Sequence, residues 1–156
     1  RLCMQARHKL IIRQQLDKTL SKLKATNTHV PVKGWIRAIR EALGMSGRQL
    51  AQRLKVSQPR IPRLEQDELT GSVTIKTMQQ VAEALDCTFV YALVPRTSLE
   101  DTLRGQARMI AQDRIERAAH SMLLEAQSLS AEEQQKSLDS AIVELVREMP
   151  KELWDK

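Results

Sequence analysis

At 156 residues the chain is long enough for one packed domain with an appendage or for two small domains sharing a core, and its 42% apolar share is that of a globular protein. Aromatics make up only 3%, so Leu, Ile, Val, Ala and Met must build the core, a composition that favours helices. The net charge of +6 and a pI near 9.6 suit a polyanionic partner.

Several classes are excluded or disfavoured at once. No apolar run approaches the ~18 residues of a membrane helix, and no secretory leader pattern opens the chain. Cys3 and Cys87 lie too far apart in sequence to suggest a disulfide framework, so a reducing cytoplasm is the expected compartment and Cys87, in an apolar stretch, is expected in the core. The first residue is Arg1 and not Met, so further residues are expected before it. The charge is unevenly spread: residues 1–45 carry ten basic against two acidic side chains, and residues 98–156 carry eight against twelve. The basic front suits DNA, whereas the acidic rear would be repelled by it and more plausibly meets protein.

The first predicted helix runs from about His8 to Lys24, with Ile12, Leu16, Leu20 and Leu23 as one apolar face. Asn27 and Pro31 break the period. A second helix follows Gly34 with Trp35, Ile36, Ile39 and Leu43 as its stripe, and stops at Gly44. Ser46 and Gln49 form a capping box that opens a third helix, with Leu50, Ala51 and Leu54 turned inward. Ser57 is expected to cap a fourth, with Pro59 in its first turn, Ile61 and Leu64 inward, and Gln58, Arg60 and Arg63 outward. A fifth helix spans about Thr74 to Leu85, with Ile75, Met78, Val81 and Leu85 buried. Cys87 through Val94 reads as one short strand closed by Pro95. Having no second strand to pair with in its own chain, it predicts a homodimer in which two copies pair across a two-fold axis.

From Ser98 a long helix runs through Leu103, Ile110, Ile115 and Met122. A second capping box, Ser130 with Glu133, opens a last helix that ends at Met149 and Pro150. The expected fold class is all-α: a helix-turn-helix bundle with one short strand and additional N- and C-terminal helices. The expected divisions are an N-terminal helical extension over 1–30, a DNA-binding domain over 31–95, and a C-terminal helical region over 96–156.

The informative constellation runs from Gly47 to Glu65. Two short helices joined by a tight turn, with small Ala51 at the helix crossing, Val56 plugging the turn, and Ile61 and Leu64 in the shared core, meet the requirements of a helix-turn-helix. The segment resembles the phage-repressor or Cro-like family, often called the XRE family, over about residues 33–94. Ala51, Val56, Ser57, Gln58, Ile61, Leu64 and Glu65 fall on its pattern positions. The resemblance implies that Gln58, Arg60 and Arg63 reach base edges in the major groove of double-stranded DNA, with Arg60 foremost, since Arg pairs with guanine and Gln with adenine. Backbone amides near Gly47 and Arg48 would hold a phosphate at the start of the third helix, joined by Gln49, Arg53, Lys55 and Ser57. Pro62 departs from the family pattern, and its missing N–H is expected to kink the recognition helix near Gln58.

No catalytic motif accompanies this. His8, His29 and His120 are scattered, and there is no zinc spacing, Gly-rich phosphate loop or nucleophile elbow, so neither an enzyme nor a bound cofactor or metal is expected.

A broader resemblance covers the whole chain. Ile12-Arg13-Gln14-Gln15-Leu16-Asp17, Trp35-Ile36-Arg37 and the run from Cys87 to Pro95 look like the bacterial family named mobile mystery protein A, whose members are typically encoded beside a Fic-domain protein. That resemblance implies an antitoxin-like autorepressor, binding an inverted-repeat operator, with the Fic-domain neighbour as a protein partner. Inhibitors of Fic proteins carry a Ser/Thr-x-x-x-Glu-Gly/Asn helix. Ser121 with Glu125 meets the first part of this pattern, but Ala126 follows. The alternative reading is a protein-binding inhibitor acting through the C-terminal helices, with DNA binding secondary.

Overall fold

Among the described residues seven helices follow one another: α1 (Leu2–Ala25), α2 (Trp35–Ala42), α3 (Gly47–Leu54), α4 (Arg60–Thr70), α5 (Ile75–Ala84), α6 (Leu99–Leu124) and α7 (Ala131–Glu148), with a 3-10 turn over Lys151–Trp154. The computed structural model describes residues 2–26, 29–124 and 130–155. Among them the architecture is all-helical, and none of the helices is long and apolar enough to cross a membrane.

The helices sort into two compact units. One comprises residues 27–92, holding α2 to α5; the other joins residues 1–26 to residues 93–156, so α1 packs with α6 and α7 although the other unit separates them in sequence. In the first unit Ile36, Leu50, Ala51, Ile61, Leu64, Val81 and Leu85 form the core, one or two residues from each helix at the spacing that keeps them on a single face. In the second, Leu103, Ala107 and Ala111 of α6 meet Ile142 and Leu145 of α7, and Leu153 seals one side. Ala107 and Ala111 are fully buried, and their small side chains leave room for a neighbouring helix to lie close.

Two carboxylates start helices to which they do not belong. Asp17 of α1 accepts hydrogen bonds from the Leu99 and Glu100 amides (2.7 and 3.2 Å), and Glu68 of α4 accepts them from Trp35 and Ile36 (2.7 and 3.0 Å). Each satisfies two amides that lack a partner within their own helix and sets negative charge at its positive end.

Several expectations are corrected. No strand forms at Cys87 to Val94: the segment has no regular secondary structure, and the described residues supply no second strand to complete a ladder. Cys87 is exposed, with its thiol on the Leu85 carbonyl, and is not in the core. On α1 the Ile12, Leu16 and Leu23 stripe is exposed; Arg13 is buried instead, beside half-buried Asp17 and Leu20. The polar pairings of Arg13 and Asp17 with α6 decide which face turns inward, and an apolar stripe alone could not. Trp35, Leu43 and Ile75 are likewise exposed on short helices that bury only one or two side chains each.

Candidate nucleic-acid interface

The third helix starts where its sequence demands. The Ser46 hydroxyl accepts from the Gln49 amide (3.2 Å), while the Gln49 side-chain oxygen accepts from the Ser46 amide (2.8 Å). Gly47 and Arg48, between them, have amide groups that the capping box does not use. Leu50 and Ala51 are buried, and Ala51 lets α3 lie close to its neighbours. Lys55 ends the helix in the left-handed conformation (φ 56°, ψ 42°), which lets the Lys55 amide close on Gln52 and the Val56 amide on Ala51 (3.2 and 3.0 Å).

The fourth helix begins differently from expectation. The Ser57 side chain caps nothing; its carbonyl accepts from the Arg60 amide (3.0 Å) and that of Gln58 from Ile61 (3.1 Å), so a tight turn with Pro59 in helical conformation leads straight into Arg60. This start also removes the kink expected at Pro62. With Arg60 as the first helical residue Pro62 is third, inside the turn whose amides have no intrahelical acceptor, and α4 continues unbroken to Thr70. Val56 does not plug the turn fully, being 38% exposed.

Ile61, Leu64 and Glu65 turn α4 inward, which leaves Arg60, Pro62, Arg63 and Gln66 exposed, with Gln58 exposed just before the helix. Arg48, Gln49, Gln52, Arg53 and Lys55 are exposed on or just after α3. Two of these are already engaged: Gln49 folds back on Ser46, and the Arg53 guanidinium donates to the Ala84 carbonyl at the end of α5 (2.6 Å). Arg53 and Arg60 line one recess of about 610 Å³ with Val56, Thr77 and Gln80. Gly47 is half-buried, and a Cβ there would sit 3.7 Å from Ile61, so its bare Cα faces α4 and only its amide is placed to meet an anion.

The scaffold is locked by groups the sequence did not single out as a pair. Arg40 donates to Glu65 (2.7 Å) and to the Met45 carbonyl (3.0 Å), joining the end of α2 and the turn before α3 to α4. On the exposed side of α2, the hydrogen bond between Arg37 and Glu41 (2.8 Å) holds the Glu41 carboxyl below its ordinary pKa and the Arg37 guanidinium above its own. Ser121 is exposed on α6, and Glu125 lies outside the described residues. Among the described residues no group of three or more His, Cys, Asp or Glu could hold a metal ion.

Comparison with known families agrees with this geometry. A family model described as helix-turn-helix matches residues 36–91, from the first turn of α2 to beyond α5. No curated protein and no solved structure matches the chain at a significant level. Residues 36–91 thus form an XRE-type helix-turn-helix domain, the DNA-binding module of a transcription regulator.

Proposed function

We propose that the chain is a sequence-specific autorepressor of antitoxin type, working in the cytoplasm as a homodimer on an inverted repeat in its own operator. Gln58, Arg60 and Arg63 read bases; the Gly47 and Arg48 amides, with Gln49, Arg53, Lys55 and Ser57, hold the backbone. The observation that carries this reading is the two-sidedness of α4. Ile61, Leu64 and Glu65 anchor one side in the core, and Arg60 and Arg63 stand exposed on the other, while the start of α3 offers the Gly47 and Arg48 amides that its capping box does not use. Homodimerisation is supported by the unpaired segment before Pro95, where Val90 and Leu93 are 81% and 91% exposed. A second copy pairing with that segment would complete a ladder between the backbone groups of the two chains. The antitoxin role and a Fic-domain partner rest on the resemblance of the whole chain to mobile mystery protein A.

A gel-shift titration with the gene's own upstream DNA tests the core of the proposal. Arg60→Ala is expected to weaken specific binding by about tenfold or more with little change in salt dependence, the behaviour of a base contact. Equal affinity of variant and wild type would remove Arg60 from the interface. Sedimentation at micromolar concentration tests the dimer, and a monomer would overturn it.

A second reading is favoured by the acidic surface of α7, where Glu132, Glu133, Asp139, Glu144 and Glu148 are all exposed. Here the C-terminal helices, with Ser121 and Glu125, bind and inhibit a protein partner. Reversing Asp139 and Glu144 to Lys should abolish co-purification of that partner from the native host while leaving the gel shift intact. An undiminished complex would reject this reading.

A further inference from the structure

Within the unit formed by residues 1–26 and 93–156, α1, α6 and α7 line an open recess of about 440 Å³. That volume falls in the range of small-ligand sites. Its walls are chiefly apolar, from Leu10, Ile142, Val146 and Met149, yet four arginines also line it: Arg7, Arg13, Arg104 and Arg147. Glu100 is the one acidic residue in the lining, and its two oxygens are divided between Arg13 (2.6 Å) and Arg104 (3.3 Å). The lining therefore carries three more positive charges than negative ones.

Arg13 is the most buried of the four. Its side chain is 10% exposed, and among the described residues it donates to Glu100 and to the Met149 sulfur, a weak acceptor, at 3.5 Å. A guanidinium has five donors, and those of Arg13 without a protein partner reach solvent, since among the described residues no buried side-chain nitrogen or oxygen lacks a hydrogen bond. Arg7 forms no ion pair among the described residues, and Arg147 has only an exposed contact of 3.4 Å with Glu148. Glu100 cannot turn to serve them, because its oxygens are both taken and its amide is tied to Asp17.

We infer that this recess binds a small amphipathic acid, a free monocarboxylate whose apolar tail lies against Leu10, Ile142, Val146 and Met149. Its carboxylate sits among Arg7, Arg13 and Arg147. The apolar walls call for a tail, and the surplus guanidinium donors call for an anion that accepts several hydrogen bonds in one plane, the geometry of a carboxylate. Neither a bare inorganic anion nor an uncharged chain matches both features.

Isothermal titration of the full-length protein tests this with octanoate, 1-octanol and acetate as probes. Octanoate is expected to bind saturably at one site per chain, and the alcohol and acetate about tenfold or more weaker, since each lacks one of the two matched features. Arg7→Ala and Arg147→Ala alter exposed side chains and should fold as the wild type does, which thermal unfolding checks. Each should weaken octanoate about tenfold, the cost of losing a charge-assisted hydrogen bond. Equal affinity for octanoate and octanol, or octanoate binding indifferent to both substitutions, would overturn the proposal. So would the absence of octanoate binding with self-association that shifts in Arg147→Glu, since a second copy would then occupy the recess.

Discussion

Arg40 and Glu65 face each other at 2.7 Å with side chains only 13% and 11% exposed, so the helix-turn-helix is held by an ion pair almost withdrawn from water. Removing one partner strands the other charge in the interior. Glu65→Ala or Arg40→Ala should each cost about 3–5 kcal/mol, whereas Arg40→Met with Glu65→Leu should restore much of the loss. Urea unfolding of the four proteins checks this, and an additive double variant would show that the two residues act independently.

Gly34 precedes α2 with φ +80°, and a Cβ there would lie 2.7 Å from Glu68 Oε2. Gly34→Ala is thus expected to lose about 2 kcal/mol or more, from the left-handed backbone and the displaced carboxylate together. Glu68→Ala alone should lose about 1 kcal/mol as a missing helix cap. The double variant should lose less than the two losses combined, because the clash disappears with Glu68. Full additivity in thermal unfolding would show that the carboxylate is not what Gly34 makes room for.

Pro62 should be thermodynamically quiet. Because it stands in the first turn of α4, Pro62→Ala is expected to change stability by less than about 1 kcal/mol, against roughly 3 kcal/mol for a proline inside a helix. A gain near the larger figure would mean that the ring strains α4.

Lys55 allows stability and DNA binding to be separated. Its left-handed backbone favours glycine, so Lys55→Gly should stabilise the domain by up to about 1 kcal/mol. If Lys55 holds a phosphate, the same change should weaken DNA binding and lower the salt slope by about one. A more stable variant with an unaltered slope would remove Lys55 from the backbone contacts.

The start of α7 should respond to acid. Hydrogen bonding from the Ser130 amide, and then its hydroxyl, holds the Glu133 carboxyl below its ordinary range. A carboxylate with a depressed folded-state pKa contributes fully above its unfolded value, near 4.3, and loses that contribution as pH falls through the folded value. The protection factors of the amides across Ala131 to Gln134, with the intrinsic pH dependence of exchange divided out, should therefore fall on acidification in the wild type. Glu133→Gln, which keeps the capping oxygen but does not titrate, should lack that pH-dependent step. Parallel profiles would show that the cap is insensitive to charge.

What was legible in the sequence was local. The Ser46–Gln49 and Ser130–Glu133 capping boxes span three residues each, and both form as their spacing suggests. Ile61 and Leu64 fall inward and Arg60 and Arg63 outward because a helix repeats every 3.6 residues. The misses have longer reach. Nothing in one-dimensional spacing pairs Arg40 with Glu65, Glu68 with Trp35, or Asp17 with Leu99, which lies 82 residues on. The exposed stripe of α1 misled for the same reason, since the partner that draws Arg13 inward is on a distant helix. At Ser57 and Pro62 the error was one of register: a turn before Arg60 moved the helix start and with it the meaning of both residues.

The divided unit has a consequence for synthesis. The ribosome delivers α1 first, but the Glu100 that pairs with Arg13 follows 87 residues later, and Ile142 and Leu145 later still. At about 5–20 residues per second Arg13 waits roughly 4–17 s for Glu100 and longer for Ile142 and Leu145, and every core residue of α2 to α5 is made before Glu100. The DNA-binding domain is the part that can complete itself during translation. The unit with the arginine-lined recess closes only when α6 and α7 reach α1.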